Sequence, residues 1–178
     1  MREDIAEILY TEEQLKKRVA EMGAEITRDY AGKEPVFVGV LKGSFVFMAD
    51  LVRAVDLKCS LDFMAVSSYG NSTKTTGAVQ INKDLNQDIE GRDIIIVEDI
   101  LDSGVTLSYL TRYLSNRSPA SMAIATLMDK PSRRQAEVYA KYAGFEVPDA
   151  FVVGYGLDFA EKYRNLPYVG VLKPEIYL

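Results

Sequence analysis

Residues 93–107 constrain this chain more than any other stretch. The run Ile94-Ile95-Ile96-Val97 is apolar without alternation, which suits a strand covered on both faces in a parallel sheet. Two carboxylates, Glu98 and Asp99, come next. After two more apolar residues, Asp102-Ser103-Gly104-Val105-Thr106 leads into an amphipathic segment, residues 107–114. The order is strand, acidic turn, small-residue loop, helix. A Gly/Ser/Thr loop running into a helix N-terminus presents backbone N–H groups and small hydroxyls to an anion, best a phosphate. The carboxylates in front of it would repel that phosphate unless a metal ion or sugar hydroxyls lie between. A ribose phosphate satisfies both halves. The plain alternative is a strand ending in a polar turn, with Ser103 or Thr106 as the helix N-cap. The loop is not a Walker A sequence, because it lacks G-x-x-x-x-G-K-[ST].

Composition narrows the chemistry. The chain has no histidine and no tryptophan, so acid–base work falls to Asp, Glu, Lys or Tyr. Its net charge of −5 argues against general nucleic-acid binding and makes any anion site locally basic or metal-assisted. The single cysteine, Cys59, permits no internal disulfide and fits a reducing cytoplasm, where it serves as a small buried hydrophobe. The charged start Met1-Arg2-Glu3-Asp4 has no apolar run behind it, so no signal peptide is expected. No stretch approaches the roughly 18 apolar residues of a membrane span. With 178 residues, one domain spanning 1–178 is expected. A chain of this size buries roughly 70% of its unfolded surface and needs no staples.

The remaining elements follow from local pattern. Thr11-Glu12-Glu13-Gln14 is a capping box, and Leu15, Val19, Met22 and Ile26 recur at helical spacing. Residues 35–41 read as a second buried strand. Lys42-Gly43-Ser44 follows, then a helix carrying Phe45, Met48, Leu51, Val52 and Val55, with Ser44 as its N-cap. Strand, small-residue turn and helix place N–H donors and a cation at a sheet's carboxyl edge. Residues 59–67 and 78–81 read as strands joined by a polar Gly-flanked loop over 68–77, either a lid or an exposed tip. Residues 121–128 form another strand, ending in Asp129-Lys130-Pro131-Ser132-Arg133-Arg134. Residues 139–144 read as a polar connection. Phe151 to Val153 is a strand, and Gly154 and Gly156 allow a ligand or backbone to approach closely. Asp158, Glu161, Tyr163 and Arg164 come next, and residues 168–172 form a last short strand. The alternation from residue 35 onward implies an α/β protein with a mostly parallel sheet.

Residues 97–107 resemble the phosphoribosyl-pyrophosphate signature of the phosphoribosyltransferases. Three further segments, Leu41-Lys42-Gly43-Ser44, residues 129–134 and residues 151–158, resemble the hypoxanthine (hypoxanthine-guanine) branch of that family, in the same order and spacing. The resemblance covers residues 10–178. It implies the type I phosphoribosyltransferase fold, with helices flanking a central, mostly parallel sheet. A small hood is drawn from the chain termini, the N-terminal lead and about 150–178.

The resemblance also implies a reaction and its residues. The phosphoribosyl group passes to a 6-oxopurine base and pyrophosphate leaves. Glu98 and Asp99 hold the ribose hydroxyls, directly or through Mg²⁺. Asp102 is the general base at the purine ring. Ser103, Gly104, Val105 and Thr106 cradle the 5′-phosphate. Lys130 donates to the exocyclic oxygen, Phe151 stacks on the base, and Val152 reads its edge through the backbone. Asp158 ligates Mg²⁺ on pyrophosphate, which Lys42, Gly43 and Arg164 bind. Arg134 is a weaker candidate for that role. In the resembling enzymes the peptide at Leu41–Lys42 can be cis. Ser68 and Tyr69 match a loop that closes over the reactants. Relatives are dimers or tetramers, so a homodimer or homotetramer is expected. Neither a nucleic-acid nor a membrane partner is expected. Two other readings remain: a regulatory protein on the same fold that binds nucleotide and RNA, and a transferase that prefers xanthine or guanine.

Overall fold

The structure is a computed structural model, and it describes residues 1–68 and 79–178. Among these, the central sheet has six strands. They are β2 (Val36–Leu41), β3 (Ser60–Ser68), β4 (Val79–Lys83), β5 (Asp93–Leu101), β6 (Ser121–Asp129) and β7 (Tyr142–Glu146). Their order is β4-β3-β2-β5-β6-β7. Every pairing is parallel except β3 with β4 at one edge.

Helices cover both faces, as an unalternating β5 requires. In β5, Ile95 and Val97 face the cluster formed with α1 (Glu12–Asp29) and α2 (Phe45–Ala54). Ile94 and Ile96 face the cluster formed with α3 (Val105–Ser115). All four are fully buried. Each contributes about 1.5–3 kcal/mol relative to an exposed side chain. The capping box of α1 forms as expected. Thr11 Oγ1 accepts from Gln14 N–H at 3.3 Å, and Gln14 Oε1 accepts from Thr11 N–H at 2.8 Å.

A second, three-stranded antiparallel sheet, referred to below as the hood, is built from both ends of the chain. It orders β1 (Ile5–Tyr10), β9 (Val169–Leu172) and β8 (Val152–Val153) as β1-β9-β8. The chain ends in a short helix, α4 (Pro174–Tyr177). Val153, Tyr163, Leu166 and Leu172 make its small core.

Several local expectations change. Residues 142–146 are an edge strand rather than a polar connection, because Tyr142 is buried and donates its hydroxyl to Asp29 Oδ2 at 2.7 Å. Phe145 stacks on Tyr10 with ring centroids 4.0 Å apart. In α2 the buried aromatic is Phe47, whereas Phe45 is exposed. Cys59 is half-buried, and its partial burial still pushes the thiol pKa up. Ser44 stands at the α2 N-cap position, but its hydroxyl donates back to Val40 O at 2.7 Å and caps nothing. The N-cap of α3 is Gly104, at φ +80°, and neither Ser103 nor Thr106. Ser103 Oγ instead accepts from Val105 N–H at 3.4 Å.

Candidate active site

Strand order reverses between β2 and β5. The chain moves from β2 outward to β3 on one side and from β5 outward to β6 on the other. A crevice opens at the carboxyl ends of strands at such a point. Here it is a cavity of about 490 Å³, lined by Gly43, Glu98, Asp99, Asp102, Ser103, Gly104, Thr106, Asp158 and Arg164 among others. Residues from the β2 turn, the β5–α3 loop and the hood therefore meet in one place.

The β2 side is the turn Lys42-Gly43-Ser44, entered through a cis Leu41–Lys42 peptide. Gly43 lies against Asp99, and Gly156 of the hood lies against Gly43. A Cβ on Gly156 would come 2.2 Å from Gly43 O, so the close approach allowed by the glycines is backbone on backbone. Lys42 stands at the rim and donates from Nζ to Glu161 Oε2 at 2.8 Å.

The β5 side carries the charge. Glu98 is almost fully buried. Burial pushes its carboxyl well above the usual range, and the adjacent Asp99 carboxylate pushes it further. Asp99 is raised by burial too, against the lowering influence of Glu98, of the Ile100 N–H and of Arg164. Two like charges this close do not both ionise readily, and the proton stays on Glu98 to higher pH than on an exposed glutamate. Beyond them, Asp102 Oδ1 is buried with no hydrogen-bond partner. Arg133 Nε stands 3.6 Å from that oxygen and 3.7 Å from Asp149 Oδ1. Gly104, Val105 and Thr106 open α3, so their N–H groups face the cavity end of the loop without intrahelical acceptors.

The hood side supplies Asp158 and Arg164. Arg164 Nη1 donates to Gly156 O at 2.7 Å, and Nη2 lies 3.2 Å from Asp158 Oδ1 and 3.5 Å from Glu161 Oε1. Lys130, Phe151 and Val152 flank the cavity and do not line it. Lys130 is buried and donates from Nζ to Ala150 O at 3.0 Å, beside Phe151. Phe151 is partly exposed, edge-on to Phe159 and stacked on Tyr177. Val152 is a buried residue of β8.

Arg134 uses its donors on Asp102 O at 3.1 Å, on Val138 O at 3.3 Å and on the Asp129 carboxylate. It braces the Asp102 loop and is not free for pyrophosphate. Ser68 ends β3 opposite Val79 in the backbone ladder. Tyr69 and the proposed closing loop to residue 77 lie outside the described residues. The sequence placed Arg133 and Glu161 inside informative segments but gave no sign of their contacts with Asp102 and Lys42, nor of Tyr177 on Phe151, because these partners are distant in sequence or, for Arg133, on another loop.

The donor set suits magnesium. Glu98, Asp99 and Asp158 offer hard carboxylate oxygens, and a cation would relieve the buried acidic pair. Among the described residues no three His, Cys, Asp or Glu side chains gather to hold an ion by themselves. Magnesium characteristically takes one or two carboxylates and completes its shell with water and substrate phosphates.

Comparison with known proteins identifies the family. Residues 6–160 match the Phosphoribosyl transferase domain. The chain is 57% identical over 177 residues to the hypoxanthine-guanine phosphoribosyltransferase of Bacillus subtilis (strain 168), covering 99% of this chain and 98% of that protein. It is 54% identical over 177 residues to the enzyme of the same name from Staphylococcus aureus (strain N315), covering 99% of each. A crystal structure of a hypoxanthine phosphoribosyltransferase from Staphylococcus aureus superposes with a TM-score of 0.97 at 53% identity, covering 100% of this chain and 97% of that one. These relatives lend no support to a regulatory RNA-binding protein. The cavity at the strand-order reversal, the small-residue loop that opens α3 and these matches agree: the chain belongs to the phosphoribosyl transferase domain family and, within it, to the hypoxanthine-guanine phosphoribosyltransferases.

Proposed function

We propose that the chain salvages purines by joining a ring nitrogen of hypoxanthine, and of guanine, to the anomeric carbon of phosphoribosyl pyrophosphate. The carbon–oxygen bond to pyrophosphate breaks, a carbon–nitrogen bond forms, and the nitrogen's proton passes to Asp102. The products are IMP or GMP and pyrophosphate. The observation that carries this reading is the Asp102 carboxylate. Its Oδ1 is buried and accepts no hydrogen bond, with Arg133 Nε 3.6 Å away, on the loop that runs directly into the α3 N-terminus. An acceptor waiting for a proton thus sits beside a ready phosphate site.

The roles follow from position. The N–H groups of Gly104, Val105 and Thr106 and the Ser103 and Thr106 hydroxyls hold the 5′-phosphate. Glu98 and Asp99 hold the ribose hydroxyls. Lys42, Gly43 and Arg164 bind the pyrophosphate, with Asp158 beside it. Bound Mg²⁺ supplies charge neutralisation for the diphosphate and the acidic pair. Lys130 donates to the purine's exocyclic oxygen, so adenine, which presents an amino group there, is rejected. Phe151 supplies an aromatic face and Val152 a backbone edge. An oxocarbenium-like transition state gains most from this fixed charge and positioning. Ser68 and Tyr69 belong to a segment that excludes water. We further assign the protein to the cytoplasm, a reading its lone cysteine supports, as a homodimer or homotetramer. No helix among the described residues is long and apolar enough to cross a membrane.

The test is pyrophosphate release from phosphoribosyl pyrophosphate with Mg²⁺, run separately with hypoxanthine, guanine, xanthine, adenine and uracil, beside Asp102→Ala. Turnover of hypoxanthine and guanine, lost without Mg²⁺ and cut about 10²–10⁴-fold in the variant, is expected. No turnover with any purine would overturn the assignment.

A further inference from the structure

Glu161 stands where neither the reaction nor the fold requires a carboxylate. It is exposed, in a tight turn where Ala160 and Glu161 are both left-handed (φ 50° and 64°). Its N–H donates to Asp158 Oδ2 at 2.9 Å, which ties the turn to the cavity wall. Its two carboxylate oxygens go to two different cations. Oε2 accepts from Lys42 Nζ at 2.8 Å and Oε1 lies 3.5 Å from Arg164 Nη2. The Lys42 ammonium, and to a lesser degree the Arg164 guanidinium, holds the Glu161 carboxyl below its usual pKa.

These two cations come from elements 122 residues apart, one on the β2 turn and one on the hood. They are also the two that the reading above gives to pyrophosphate. Their attachments differ. Arg164 is fixed independently by Gly156 O and Asp158. Lys42 is two-thirds exposed, and among the described residues its only side-chain hydrogen bond is to Glu161. Removing the carboxylate therefore leaves Arg164 in place and frees Lys42.

The geometry points to Glu161 as an internal stand-in for pyrophosphate. It occupies Lys42 and the outer edge of Arg164 when the diphosphate is absent, and re-engages them when it leaves. The diphosphate binds by exchanging with Glu161, and Glu161 returning to Lys42 assists release. An exposed ion pair is individually weak, which is what an exchangeable partner needs: a strong one would block the site. This inference rests on the assignment of Lys42 and Arg164 to pyrophosphate.

Calorimetric titration with sodium pyrophosphate, without added metal and again with Mg²⁺, tests it on wild type, Glu161→Gln, Lys42→Met and the double variant. Glutamine keeps the size and backbone of the exposed residue, so folding is unaffected and an unchanged melting temperature is the control. Glu161→Gln is expected to tighten pyrophosphate about three- to tenfold, which corresponds to losing one weak ion pair together with a like charge beside the anion. Pyrophosphate product inhibition should strengthen in parallel, and kcat should fall as release slows. The gain should largely vanish when Lys42 is already Met. Unchanged or weakened binding in Glu161→Gln overturns the proposal. So does a gain that survives intact in the double variant, because charge removal alone would then explain it. If Lys42→Met leaves pyrophosphate affinity at the wild-type value, the pyrophosphate assignment of Lys42 itself fails and the stand-in falls with it.

Discussion

Gly43 touches Asp99: a Cβ on the glycine would stand 1.7 Å from the carboxylate oxygen Oδ2 and 2.6 Å from Cγ. The β2 turn and the β5 carboxylate are thus in contact through a missing side chain, and each sets the other's position. In Gly43→Ala one of them must move. Because the turn is also pressed by Gly156, the mobile partner is Asp99. The expected result is a KM for phosphoribosyl pyrophosphate raised about tenfold or more, a hypoxanthine KM little changed, and a stability loss of about 1–3 kcal/mol. Shortening the partner, as Gly43→Ala with Asp99→Ser, should recover the melting temperature and not the activity. An alanine variant with wild-type kinetics would show that the contact is idle.

The acidic pair couples function to stability. Burial and the neighbouring Asp99 raise Glu98 above its unfolded pKa. Its contribution to stability is then complete below the unfolded carboxylate range and is lost as pH rises through the folded value. The metal-free protein should lose stability as pH climbs above that range. Glu98→Gln removes the titrating group, so its melting curve should change less with pH and exceed wild type on the alkaline side. Each kcal/mol gained corresponds to about 2–4 °C in a chain of this size. The same variant should bind phosphoribosyl pyrophosphate more weakly. A variant less stable than wild type at high pH would contradict the account.

How much of this was legible in the sequence depends on how far apart the interacting residues are. The β5–α3 stretch is contiguous, so strand, acids, loop and helix could be read in order. Lys42, Lys130, Asp158 and Arg164 each sit on a recognisable segment; the fold puts Asp158 and Arg164 on the cavity wall, with Lys42 and Lys130 outside its lining. Spacing could not show that residues 142–146 would be a strand. A tyrosine, a glycine and a phenylalanine among polar neighbours have no clear period, and only Asp29 and Tyr10, more than a hundred residues away, explain their burial. Nor could it choose the α3 cap. Ser103, Gly104 and Thr106 were all chemically able, and Gly104 took the position because the chain turns there at φ +80°. Arg134 looked like a free cation until Asp102, Asp129 and Val138 were seen to occupy it.

Lys130, to which the proposal gives recognition of the purine's exocyclic oxygen, is buried, and its ammonium already has one acceptor, Ala150 O. Lys130→Met keeps the apolar stem and removes the donor. The hypoxanthine kcat/KM should fall about 10²-fold or more, since a purine oxygen would be left unpaired in the site. The KM for phosphoribosyl pyrophosphate should hold. Adenine should remain a poor substrate, because removing a donor to oxygen does not create an acceptor for an amino group. Equal losses for both substrates would instead mean that Lys130 only supports the fold around Ala150.

Phe151 gains its orientation from the C-terminus. Its ring stacks on Tyr177 at 5.0 Å and 26°, and meets Phe159 edge-on at 5.4 Å and 90°. Tyr177 belongs to a four-residue helix with no fully buried residue, and it packs with Ile176 against the hood core. An aromatic pair of this kind contributes about 0.5–1.5 kcal/mol beyond its buried area. If Tyr177 backs the ring that faces the purine, Tyr177→Ala should raise the hypoxanthine KM about two- to tenfold, and the KM for phosphoribosyl pyrophosphate should stay put. A lowered hypoxanthine KM would reverse the assignment: Tyr177 would then be holding the purine's own place on Phe151, and the base would have to displace it.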